Sequence, residues 1–478
     1  MVSWEELLAQ VPAPNEVGAV DVVGARGEGA RQLVVLDDDP TGTQSVADLP
    51  VLNSWAASDL KWALETGAPA VYVMTNSRSL PPDEAEKRNR EVVEAAFEAA
   101  KDLGVEVDFV SRSDSTLRGH YPLEPDTLAD EMGAHGEAID GVVIVPAFGD
   151  AGRITVNGMH YAGSRDSGFI PVGETEFARD ATFGYKSSYL PEWVEEKTEG
   201  KIKAEDVISI TLEDLREKPE VAVQKLLGGS AGRPIVVDAM EESDLRLLTL
   251  ALLEAQAAGR RFVFRVGPPF VRAYIGQDIT DPLNAADVAR IGRDEKAVGG
   301  LIVVGSHVDL TTRQLNRLRE RRTPVEFEID VPTILGADRD THLQDLVAQV
   351  AESLKNGNVV LRTSRNLVTG ADGDESLAIS RSVSDAVVQV VRSVLDENPP
   401  KFVIAKGGIT SSDVAARGLE IGRAIVQGPM LPGIVSLWEP IAGPAQGIPY
   451  IVFAGNVGDE ESLADVTDKL STYEEQDK

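Results

Sequence analysis

The chain has 478 residues, of which 42% are hydrophobic, 26% are charged and 5% are aromatic, and its formal net charge is −32. This composition is typical of a folded globular protein with more than one domain. A strongly negative surface repels nucleic acids and anionic membranes, so neither is expected as a partner. The chain has no cysteine, which excludes disulfides, thiolate metal sites and a cysteine nucleophile.

The N-terminal residues MVSWEELLAQVPAPNE contain acidic residues early and lack the apolar core of a secretory signal. Elsewhere, no uninterrupted apolar run approaches the roughly 20 residues that a membrane-spanning helix needs. We therefore expect a cytoplasmic protein that does not associate with membranes.

Short apolar runs recur along the chain, and many of them end in glycine or in small polar residues. In the first half, these runs are Leu33–Leu36, Ala70–Met74, Val105–Val110, Val142–Val145, Ile235–Val237 and Phe262–Val266. In the second half, they are Leu301–Val304, Val359–Leu361, Phe402–Ala405, Ile434–Leu437 and Ile448–Ala454. Each run is about as long as a strand and largely apolar, which predicts strands buried on both faces.

Segments with helical periodicity separate several of these runs. Apolar residues recur at three- and four-residue spacing in 84–104 and 343–357, and both segments end in glycine. Alternating strands and helices predict an α/β fold with two domains, each a largely parallel or mixed sheet with flanking helices. The break is expected in 271–300, where no strand pattern occurs, so the predicted domains are residues 1–285 and 298–470.

Three further segments have no clear periodicity. The highly charged region 175–228 is predicted to be an irregular surface elaboration of the first domain. Residues 366–375 are predicted to form a loop, and the acidic tail after Thr472 is predicted to be disordered.

The first candidate site is LVVLDDDPTGTQ, residues 33–44, in which an apolar strand runs directly into three aspartates. Ligands of open α/β sheets bind at the carboxyl ends of the strands, which is where Asp38, Asp39 and Thr41 would lie. Adjacent carboxylates repel one another unless a metal, a set of sugar hydroxyls or an arginine neutralises them. The alternative interpretation is an Asp-rich turn that caps a helix.

Two polar segments follow the next apolar runs in the same way: TNSRSL, residues 75–80, and SRSDSTLRGHYPLE, residues 111–124. Polar groups directly after a buried strand are costly unless they meet a ligand or one another. Arginine can bind a carboxylate through two parallel hydrogen bonds. The candidate residues of these segments are Asn76, Arg78, Arg112, Asp114 and Arg118. A surface turn or a satisfied structural cluster is the alternative.

In the second half, three strands run into glycine turns. These segments are VVGSHVDLTTRQL at 303–315, FVIAKGGITSSDVA at 402–415 and IVFAGNVGD at 451–459. The middle one would place free N–H groups and a helix start where a phosphate could bind, beside Lys406. Its Lys-Gly-Gly order differs from a P-loop, and GxxxxGK[ST] occurs nowhere. Ordinary strand–turn–helix geometry is the alternative.

In this order, DDDPTG, TNSR, SRSDSTLRGHYP, VPAFGDAGR, KGGITSSDVA and FAGNVG resemble segments of the four-carbon acid sugar kinase family, over residues 30–460. The resemblance implies a sugar-acid-binding N-terminal domain and a nucleotide-binding C-terminal domain, with phosphoryl transfer in the cleft between them. It implies substrate contacts from Asp38, Asp39, Thr41, Arg78, Arg112, Asp114, Ser115 and Arg118. It implies ATP contacts from Ser306, Gly407, Gly408, Ile409, Thr410 and Gly455.

Two features depart from the family pattern. An acidic or polar residue often follows the paired glycines, but Ile409 stands there in this chain. The first nucleotide loop usually has a second small polar residue, whereas this chain reads GSHVD. Both departures concern side-chain contacts and leave backbone contacts with ATP open.

The leading hypothesis is a transferase of carbohydrate metabolism, an ATP-dependent kinase that phosphorylates the terminal hydroxyl of threonate, erythronate or an oxo-tetronate. ATP would bind with Mg²⁺, whose protein ligands the sequence does not identify. Asp38, Asp39 or Asp114 would orient or deprotonate the hydroxyl as the catalytic carboxylate. A homodimer is a further hypothesis. The alternatives are a metal-dependent hydrolase or aldolase and a non-catalytic regulator that binds nucleotide or sugar acid.

Overall fold

The computed structural model of the protein describes residues 1–27, 29–291, 297–365 and 373–471. Its strands, in chain order, are β1 (Gln32–Asp37), β2 (Leu49–Leu52), β3 (Ala70–Met74), β4 (Val107–Arg112), β5 (Gly141–Val145), β6 (Arg153–Val156), β7 (Met159–Ser164), β8 (Gly168–Pro171), β9 (Ile208–Ile210), β10 (Arg233–Val237), β11 (Phe262–Val266), β12 (Leu301–Val304), β13 (Val325–Ile329), β14 (Val359–Thr363), β15 (Val403–Lys406), β16 (Arg423–Leu431), β17 (Ile434–Pro440) and β18 (Tyr450–Phe453).

The helices alternate with these strands along most of the chain, which confirms the predicted α/β class. They are α1 (Trp4–Leu8), α2 (Ala19–Arg26), α3 (Ala57–Glu65), α4 (Pro82–Leu103), α5 (Leu123–Ala134), α6 (Leu190–Lys197), α7 (Leu212–Arg216), α8 (Pro219–Leu227), α9 (Glu242–Ala257), α10 (Pro269–Ile275), α11 (Ala285–Ala289), α12 (Asp309–Arg322), α13 (Val331–Ile334), α14 (Arg339–Leu354), α15 (Gly373–Glu397), α16 (Gly408–Asp413) and α17 (Ser462–Ser471). In the described ranges, none of these helices is both long and apolar enough to cross a bilayer.

The chain divides into two compact units and crosses between them more than once. Unit 1 comprises Met1–Gly42 and Trp55–Ile279, and unit 2 comprises Thr43–Ser54 and the chain from Thr280 onward. The short segment 43–54 therefore belongs to unit 2 although the chain on both sides of it belongs to unit 1. The last crossing lies inside the region 271–300. The domain limits drawn from the sequence stay a prediction.

Unit 1 is built on a parallel sheet with the strand order β3-β1-β4-β11-β5-β10-β9. Its central strands β1, β4 and β11 are buried along almost their whole length, and Leu33, Val34 and Val35 of β1 are fully buried. A separate antiparallel sheet has the order β6-β7-β8. Because the strands of the main sheet run in one direction, their carboxyl ends lie along the same edge.

Unit 2 contains a mixed sheet. Strands β13, β14, β12, β15 and β18 are parallel neighbours in that order. Strands β17, β16 and β2 follow in antiparallel pairing, with Val51 of β2 opposite Ala424 of β16. The parallel part again places several strand ends, and the loops that follow them, along one edge.

Helix α4 shows how the local sequence sets its limits. The helix begins at Pro82, where the missing proline N–H costs no hydrogen bond, and ends before Gly104, whose φ is +68°. Its buried face includes Val92, Val93 and Ala96, in the predicted 84–104 segment. Helix α14 lies in the other predicted segment but ends earlier, at Leu354 with Lys355 as its cap, so Gly357 is not part of the helix end.

Every predicted strand overlaps an observed one, but the structure has more strands and helices than the sequence predicted. Region 175–228, predicted to be irregular, forms α6, β9, α7 and α8, so that prediction was wrong. The helices α7 and α8 have only five and nine residues, so each is too short to show a clear helical repeat of apolar residues in the sequence. Most of the predicted loop 366–375, and all residues after Ser471, lie outside the described residues, and α15 begins at Gly373.

Candidate active site

Parallel pairing brings the first group of predicted residues together. Asp37, the last residue of β1, lies opposite Met74 of β3 and Arg112 of β4. The segments that follow these three strands therefore leave the sheet at neighbouring points of one edge. Their charged side chains form what we call the acid–arginine cluster: Asp37, Asp38, Asp39, Arg78, Arg112, Asp114 and Arg118.

The Arg78 guanidinium binds Asp38 with both arms. Its Nε donates to Asp38 Oδ2 at 3.0 Å, and its Nη2 donates to Asp38 Oδ1 at 2.6 Å. Arg78 Nη1 also lies 3.7 Å from Asp39 Oδ2. Asp38 is 2% exposed, so this planar ion pair forms part of the floor of the cluster.

The Arg112 guanidinium forms the deepest part of the cluster. It donates to the Asp37 carboxylate and, at 2.6 Å, to the backbone oxygen of Asp39, and it lies 3.3 Å from Asp38 Oδ1. Arg112 and Asp37 are both buried. A Cβ at Gly42 would overlap the Asp37 carboxylate and Arg112, so only glycine allows the loop after β1 to fold over this pair.

Asp114 and Arg118 form the outer part of the cluster. Arg118 Nε donates to Asp114 Oδ2 at 2.6 Å, and the Thr116 hydroxyl donates to the same oxygen. Burial alone would raise the pKa of the Asp114 carboxyl, but Arg78 and Arg118, together with the hydrogen bond from Thr116, hold this pKa well below its usual range. Asp114 is therefore ionised at physiological pH.

Asp38 and Asp39 differ in their surroundings. Burial raises the pKa of Asp38 to about 7, and the nearby Glu124 and Asp39 add to this effect while Arg78 opposes it. Asp39 is about one-quarter exposed. Its Oδ1 accepts hydrogen bonds from the Thr41 N–H at 3.0 Å and the Thr41 hydroxyl at 2.5 Å, whereas its Oδ2 pairs, among the described residues, only with Arg78. Asp39 is thus the most exposed of the four aspartates in the cluster.

A buried histidine fixes the loop that carries Asp114. His160 Nε2 lies 2.8 Å from the backbone oxygen of Ser115, and its Nδ1 lies 2.9 Å from the Thr155 hydroxyl. Burial lowers the pKa of His160 to about 4, so the ring is neutral and donates to the Ser115 carbonyl. The Tyr185 hydroxyl donates to the next carbonyl, that of Thr116, at 2.6 Å. These bonds position the Ser115 backbone, and the predicted role of its hydroxyl stays a prediction.

In unit 2, the predicted glycine turns converge on one point. Gly407 has φ +130°, and a Cβ there would lie 3.2 Å from Thr410 Oγ1 and 3.3 Å from the Ser306 N–H nitrogen. A Cβ at Gly455 would overlap the Ser306 side chain, and one at Gly305 would overlap the Thr410 hydroxyl. We call these close-packed loops the glycine cradle.

Hydrogen bonds hold the cradle in shape. The N–H groups of Gly305 and Ser306 both donate to the Lys406 carbonyl at 3.2 Å, and the Gly407 N–H donates to the Phe453 carbonyl at 2.8 Å. The Thr311 hydroxyl lies 3.1 Å from Ser306 Oγ and donates to the Gly455 carbonyl at 2.9 Å. Helix α16 begins at Gly408, with Gly407 as its N-cap residue.

Lys406 lies beneath the cradle at the end of β15. The residue is fully buried, its Nζ donates to the Ala454 carbonyl at 2.7 Å, and Nζ lies 3.7 Å from the centre of the Phe453 ring. Within the described part of the chain, no carboxylate forms an ion pair with it. Burial lowers the pKa of Lys406 to about 7.

A cavity of about 230 Å³ opens beside the cradle. Ile409, which is 66% exposed, contributes to its apolar part together with Val331 and Val387. Asp413, which accepts a hydrogen bond from the Ser384 hydroxyl, contributes to its polar part. The remaining lining residues are Gly305, His307, Thr363, Ile379, Ser380, Val383 and Thr410. Ile409 therefore gives this cavity an apolar wall.

Sequence reasoning missed two residues of these sites and one residue beside them. Asp37 is the first aspartate of the triplet, and Gly305 precedes the predicted Ser306. Arg265 lies beside the acid–arginine cluster: it is 2% exposed near the end of β11, and its Nη2 donates to the Arg118 carbonyl at 3.2 Å. The available signal was an arginine within the apolar run FVFRV, where a buried charge needs a partner.

Residues of the described chain offer no group of three or more His, Cys, Asp or Glu arranged to hold a metal ion. Mg²⁺ that enters an enzyme with a nucleotide keeps several waters and phosphate oxygens as ligands, and takes only one or two carboxylates from the protein. The acid–arginine cluster contains Asp39, whose free oxygen fits such a limited role. Metal ligands stay unassigned.

Two domain families match this chain. Residues 33–274 match the family described as sugar-binding N-terminal domain, and residues 301–463 match the family described as nucleotide-binding C-terminal domain. The first match contains the acid–arginine cluster and Arg265, and the second contains the glycine cradle. Each candidate site thus lies in the domain whose description fits its chemistry.

Three similar proteins are kinases by name. D-erythronate kinase of Heliobacterium modesticaldum is 25% identical over 467 residues, which cover 92% of this chain and 97% of that protein. D-threonate kinase of Salmonella typhimurium is 25% identical over 448 residues, which cover 91% of this chain and 97% of that protein. 3-Oxo-tetronate kinase of Methylobacterium radiotolerans is 23% identical over 453 residues, which cover 91% of this chain and 98% of that protein. The three acids differ, so the comparison does not select one.

Two solved structures share the fold. A Salmonella typhimurium protein superimposes with a TM-score of 0.65 at 19% identity, and a Haemophilus influenzae protein with a TM-score of 0.58 at 19% identity. Each match covers 91% of this chain and 98% of the other. The architecture described above is therefore one that has been observed in other proteins over nearly the whole chain.

Proposed function

Because this chain belongs to the four-carbon acid sugar kinase family, we propose that it transfers the terminal phosphoryl group of ATP to the terminal hydroxyl of a four-carbon sugar acid. One observation carries the proposal: a single chain combines the acid–arginine cluster with the glycine cradle, each at the carboxyl ends of parallel strands. The acid is threonate, erythronate or an oxo-tetronate, the classes named for the similar kinases.

On the acceptor side, Asp39 is the best candidate for the carboxylate that orients and deprotonates the hydroxyl. Both oxygens of Asp38 bind Arg78, and one oxygen of Asp114 already binds Arg118 and Thr116. Asp39 Oδ2 keeps free lone pairs and partial exposure. Asp38 and Asp114 would then hold the arginines in place and accept hydrogen bonds from other substrate hydroxyls.

The other predicted substrate contacts fit this arrangement. Thr41 holds Asp39 in one rotamer through two hydrogen bonds. Arg78, Arg112 and Arg118 offset the negative charge of the aspartates and have further N–H donors for substrate oxygens. Ser115 lies on the loop fixed by His160, where its backbone and hydroxyl can reach a sugar acid bound beside Asp114.

On the donor side, the glycine cradle would hold the phosphates. The glycines leave room where any side chain would fill the turn. Because the N–H groups of Gly305, Ser306 and Gly407 already bind carbonyls within the cradle, the N–H groups at the start of α16 would bind the phosphate oxygens. Gly407, Gly408, Thr410, Ser306 and Gly455 would contact phosphates, with Lys406 supplying positive charge from below. Ile409 and the cavity beside it would take the apolar face of the nucleobase.

Mg²⁺ that binds with ATP would offset the charge of the β- and γ-phosphates during transfer. The chain itself has to align the hydroxyl with the γ-phosphate, take up the proton at Asp39 and exclude water. Transfer also requires the two sites to meet, and the expected meeting place in the cleft between the domains stays a prediction, as do the homodimer and a cytoplasmic location.

The proposal is tested by ADP release from ATP and Mg²⁺ in the presence of single four-carbon aldonic acids and their oxo forms. We expect release with at least one acid at a rate at least 100-fold above the rate without acceptor. Consumption of an acid without nucleotide would instead identify a hydrolase or aldolase. Binding of ATP and acid with no ADP release would identify a non-catalytic regulator.

A further inference from the structure

The charges of the acid–arginine cluster are already matched within the chain. Arg78, Arg112 and Arg118 each form an ion pair with an aspartate of the same cluster. An arginine that binds the carboxylate of a substrate should instead have a charge that the protein leaves uncompensated, so that the substrate supplies the missing acid. Among the described residues at this edge of the sheet, Arg265 fits this condition: it is 2% exposed and forms no ion pair with a carboxylate.

Aromatic rings hold the Arg265 guanidinium in place. Its central carbon lies 5.3 Å from the ring centre of Tyr121 and 5.0 Å from that of Trp193, and these two rings stack on each other at 4.5 Å. Its Nη2 donates to the Arg118 carbonyl at 3.2 Å. Cation–π contacts orient a guanidinium without neutralising it, and the carboxylates of Asp38 and Glu124 act on this charge from a distance without forming an ion pair with it.

The guanidinium of Arg265 faces the acid–arginine cluster. A Cβ at Gly119, where φ is +107°, would lie 3.0 Å from Asp38 Oδ2 and 3.9 Å from Arg265 Nη2. The same point is 4.0 Å from Cβ of Ser113, whose buried hydroxyl has no hydrogen-bond partner in the described chain. Asp38, Arg265 and the side chain of Ser113 therefore lie around the point where a side chain of residue 119 would begin, and glycine has no side chain there.

We propose that Arg265 binds the carboxylate of the sugar acid and thereby sets the preference for acids over neutral polyols, an inference that rests on the proposed function. The free hydroxyl of Ser113 would donate to the same carboxylate. The hydroxyl on the neighbouring carbon would donate to Asp38. This placement directs the other end of a four-carbon chain away from Arg265, so the terminal hydroxyl is the one left to meet Asp39.

The test compares the sugar acid with its carboxamide, a neutral analogue of the same shape, in wild type and in Arg265→Met. Methionine keeps the contact with Tyr121 and Trp193 but removes the charge. We expect kcat/KM for the acid to fall roughly 100-fold while that for the carboxamide changes less than threefold, because only the acid loses a charge-assisted hydrogen bond. A merely structural arginine would lower both values equally, and that outcome would overturn the proposal.

Arg26→Met is the matched control. Arg26 also stacks on a tyrosine, with its guanidinium carbon 5.2 Å from the Tyr274 ring centre, and it donates to backbone carbonyls rather than to an acid. It precedes β1 and is therefore remote from the carboxyl end of that strand. The ratio of acid to carboxamide activity in Arg26→Met should equal that of wild type, and a similar fall there would count against Arg265.

Thermal melting shows whether Arg265→Met is folded. If it is not, a second variant, Arg265→Lys, tests the proposal. Arg265→Lys keeps the charge but loses the planar pair of donors, so the ratio of acid to carboxamide activity should fall about tenfold. An unchanged ratio in a folded Arg265→Lys would overturn the proposal. If wild type itself turns over no four-carbon acid with ATP, the proposed function fails, whereas normal turnover with an unchanged ratio in the variants defeats only the role of Arg265.

Discussion

At the scale of single residues, the environment of each aspartate separates a reacting role from a supporting one. Asp38 and Asp114 bind arginines through short hydrogen bonds, whereas one oxygen of Asp39 lacks a close donor. Replacing Asp39 by Asn keeps the size and the hydrogen bonds from Thr41 but removes the base. We expect kcat to fall roughly 100-fold or more with little change in ATP affinity, measured by initial rates and calorimetry.

Ser79→Ala serves as the control for this variant, since Ser79 lies in the adjacent segment and its hydroxyl bonds only to the Asn76 carbonyl. Wild-type turnover in Asp39→Asn would transfer the role of base to Asp38 or Asp114. Wild-type turnover in the Asp→Asn variants of Asp38, Asp39 and Asp114 would exclude all three of these carboxylates as the base.

Lys406 makes a prediction about pH. Its pKa is about 7 in the folded protein, because burial disfavours the charge, against an ordinary 10.5. Between these values the unfolded chain binds more protons than the folded one, so stability rises with pH across this window and is flat below it. Relative to Lys406→Met, the wild-type free energy of unfolding should increase by a few kcal/mol between about pH 7 and 10.

Urea unfolding at several pH values measures this difference. Lys355→Met controls for the loss of a lysine, because Lys355 is exposed and pairs with the exposed Glu352. A wild-type protein whose stability parallels that of Lys406→Met from pH 6 to 10 would show that the buried ammonium is better solvated than its contacts indicate.

At the scale of elements, the glycine cradle depends on contacts that leave no room for a side chain. Gly305→Ala would place a methyl group against the Thr410 hydroxyl and push the first and second loops of the cradle apart. ATP affinity should fall at least tenfold in calorimetry, while binding of the sugar acid in unit 1 should persist. Gly336→Ala is the matched control, since the nearest atom to its Cβ is 3.5 Å away. Equal ATP affinity in both variants would contradict the assignment of the cradle.

The strands that the sequence revealed are those buried on both faces. Runs such as Ala70–Met74 and Leu301–Val304 are apolar throughout and match the observed strands at both ends. Strands β13, VEFEI, and β16, RAIVQGPML, were missed because the first alternates with glutamates and the second contains a Gly-Pro pair. A run of apolar residues indicates a strand that is buried on both faces. Strands β13 and β16 are only partly buried, so their sequences contain no such run.

The sites were predictable to the extent that their residues follow such strands directly. Asp38, Arg78 and Arg112 do so, and parallel pairing alone brings them together. Arg265 lies inside a strand and Gly305 acts only through the room it leaves for Thr410. Their roles come from three-dimensional packing that spacing along the chain does not encode.

At the scale of the whole molecule, segment 43–54 links the folding of unit 2 to a distant part of the chain. It supplies β2, which pairs with β16, and the Thr43 hydroxyl, which lies 2.9 Å from both Ser436 Oγ and Trp438 Nε1. A fragment that starts at Thr280 would expose the edge of β16 and leave the Trp438 N–H without its partner. We expect this fragment to aggregate or remain unfolded.

Joining residues 43–54 to that fragment through a flexible linker should restore a monomeric, folded unit 2. Size-exclusion chromatography and near-ultraviolet circular dichroism of Trp438 measure the difference. The control is the same fusion protein in which the residues of segment 43–54 stand in scrambled order. If the fragment from Thr280 folds equally well without residues 43–54, the segment is not an integral part of unit 2.

The most direct measurement for the whole account is phosphorus NMR of the wild-type protein with ATP, Mg²⁺ and each four-carbon acid in turn. The account predicts that one acid gives a phosphate monoester on its terminal carbon, formed in a one-to-one ratio with ADP. Formation of inorganic phosphate alone, or of no product with any of these acids, would contradict it.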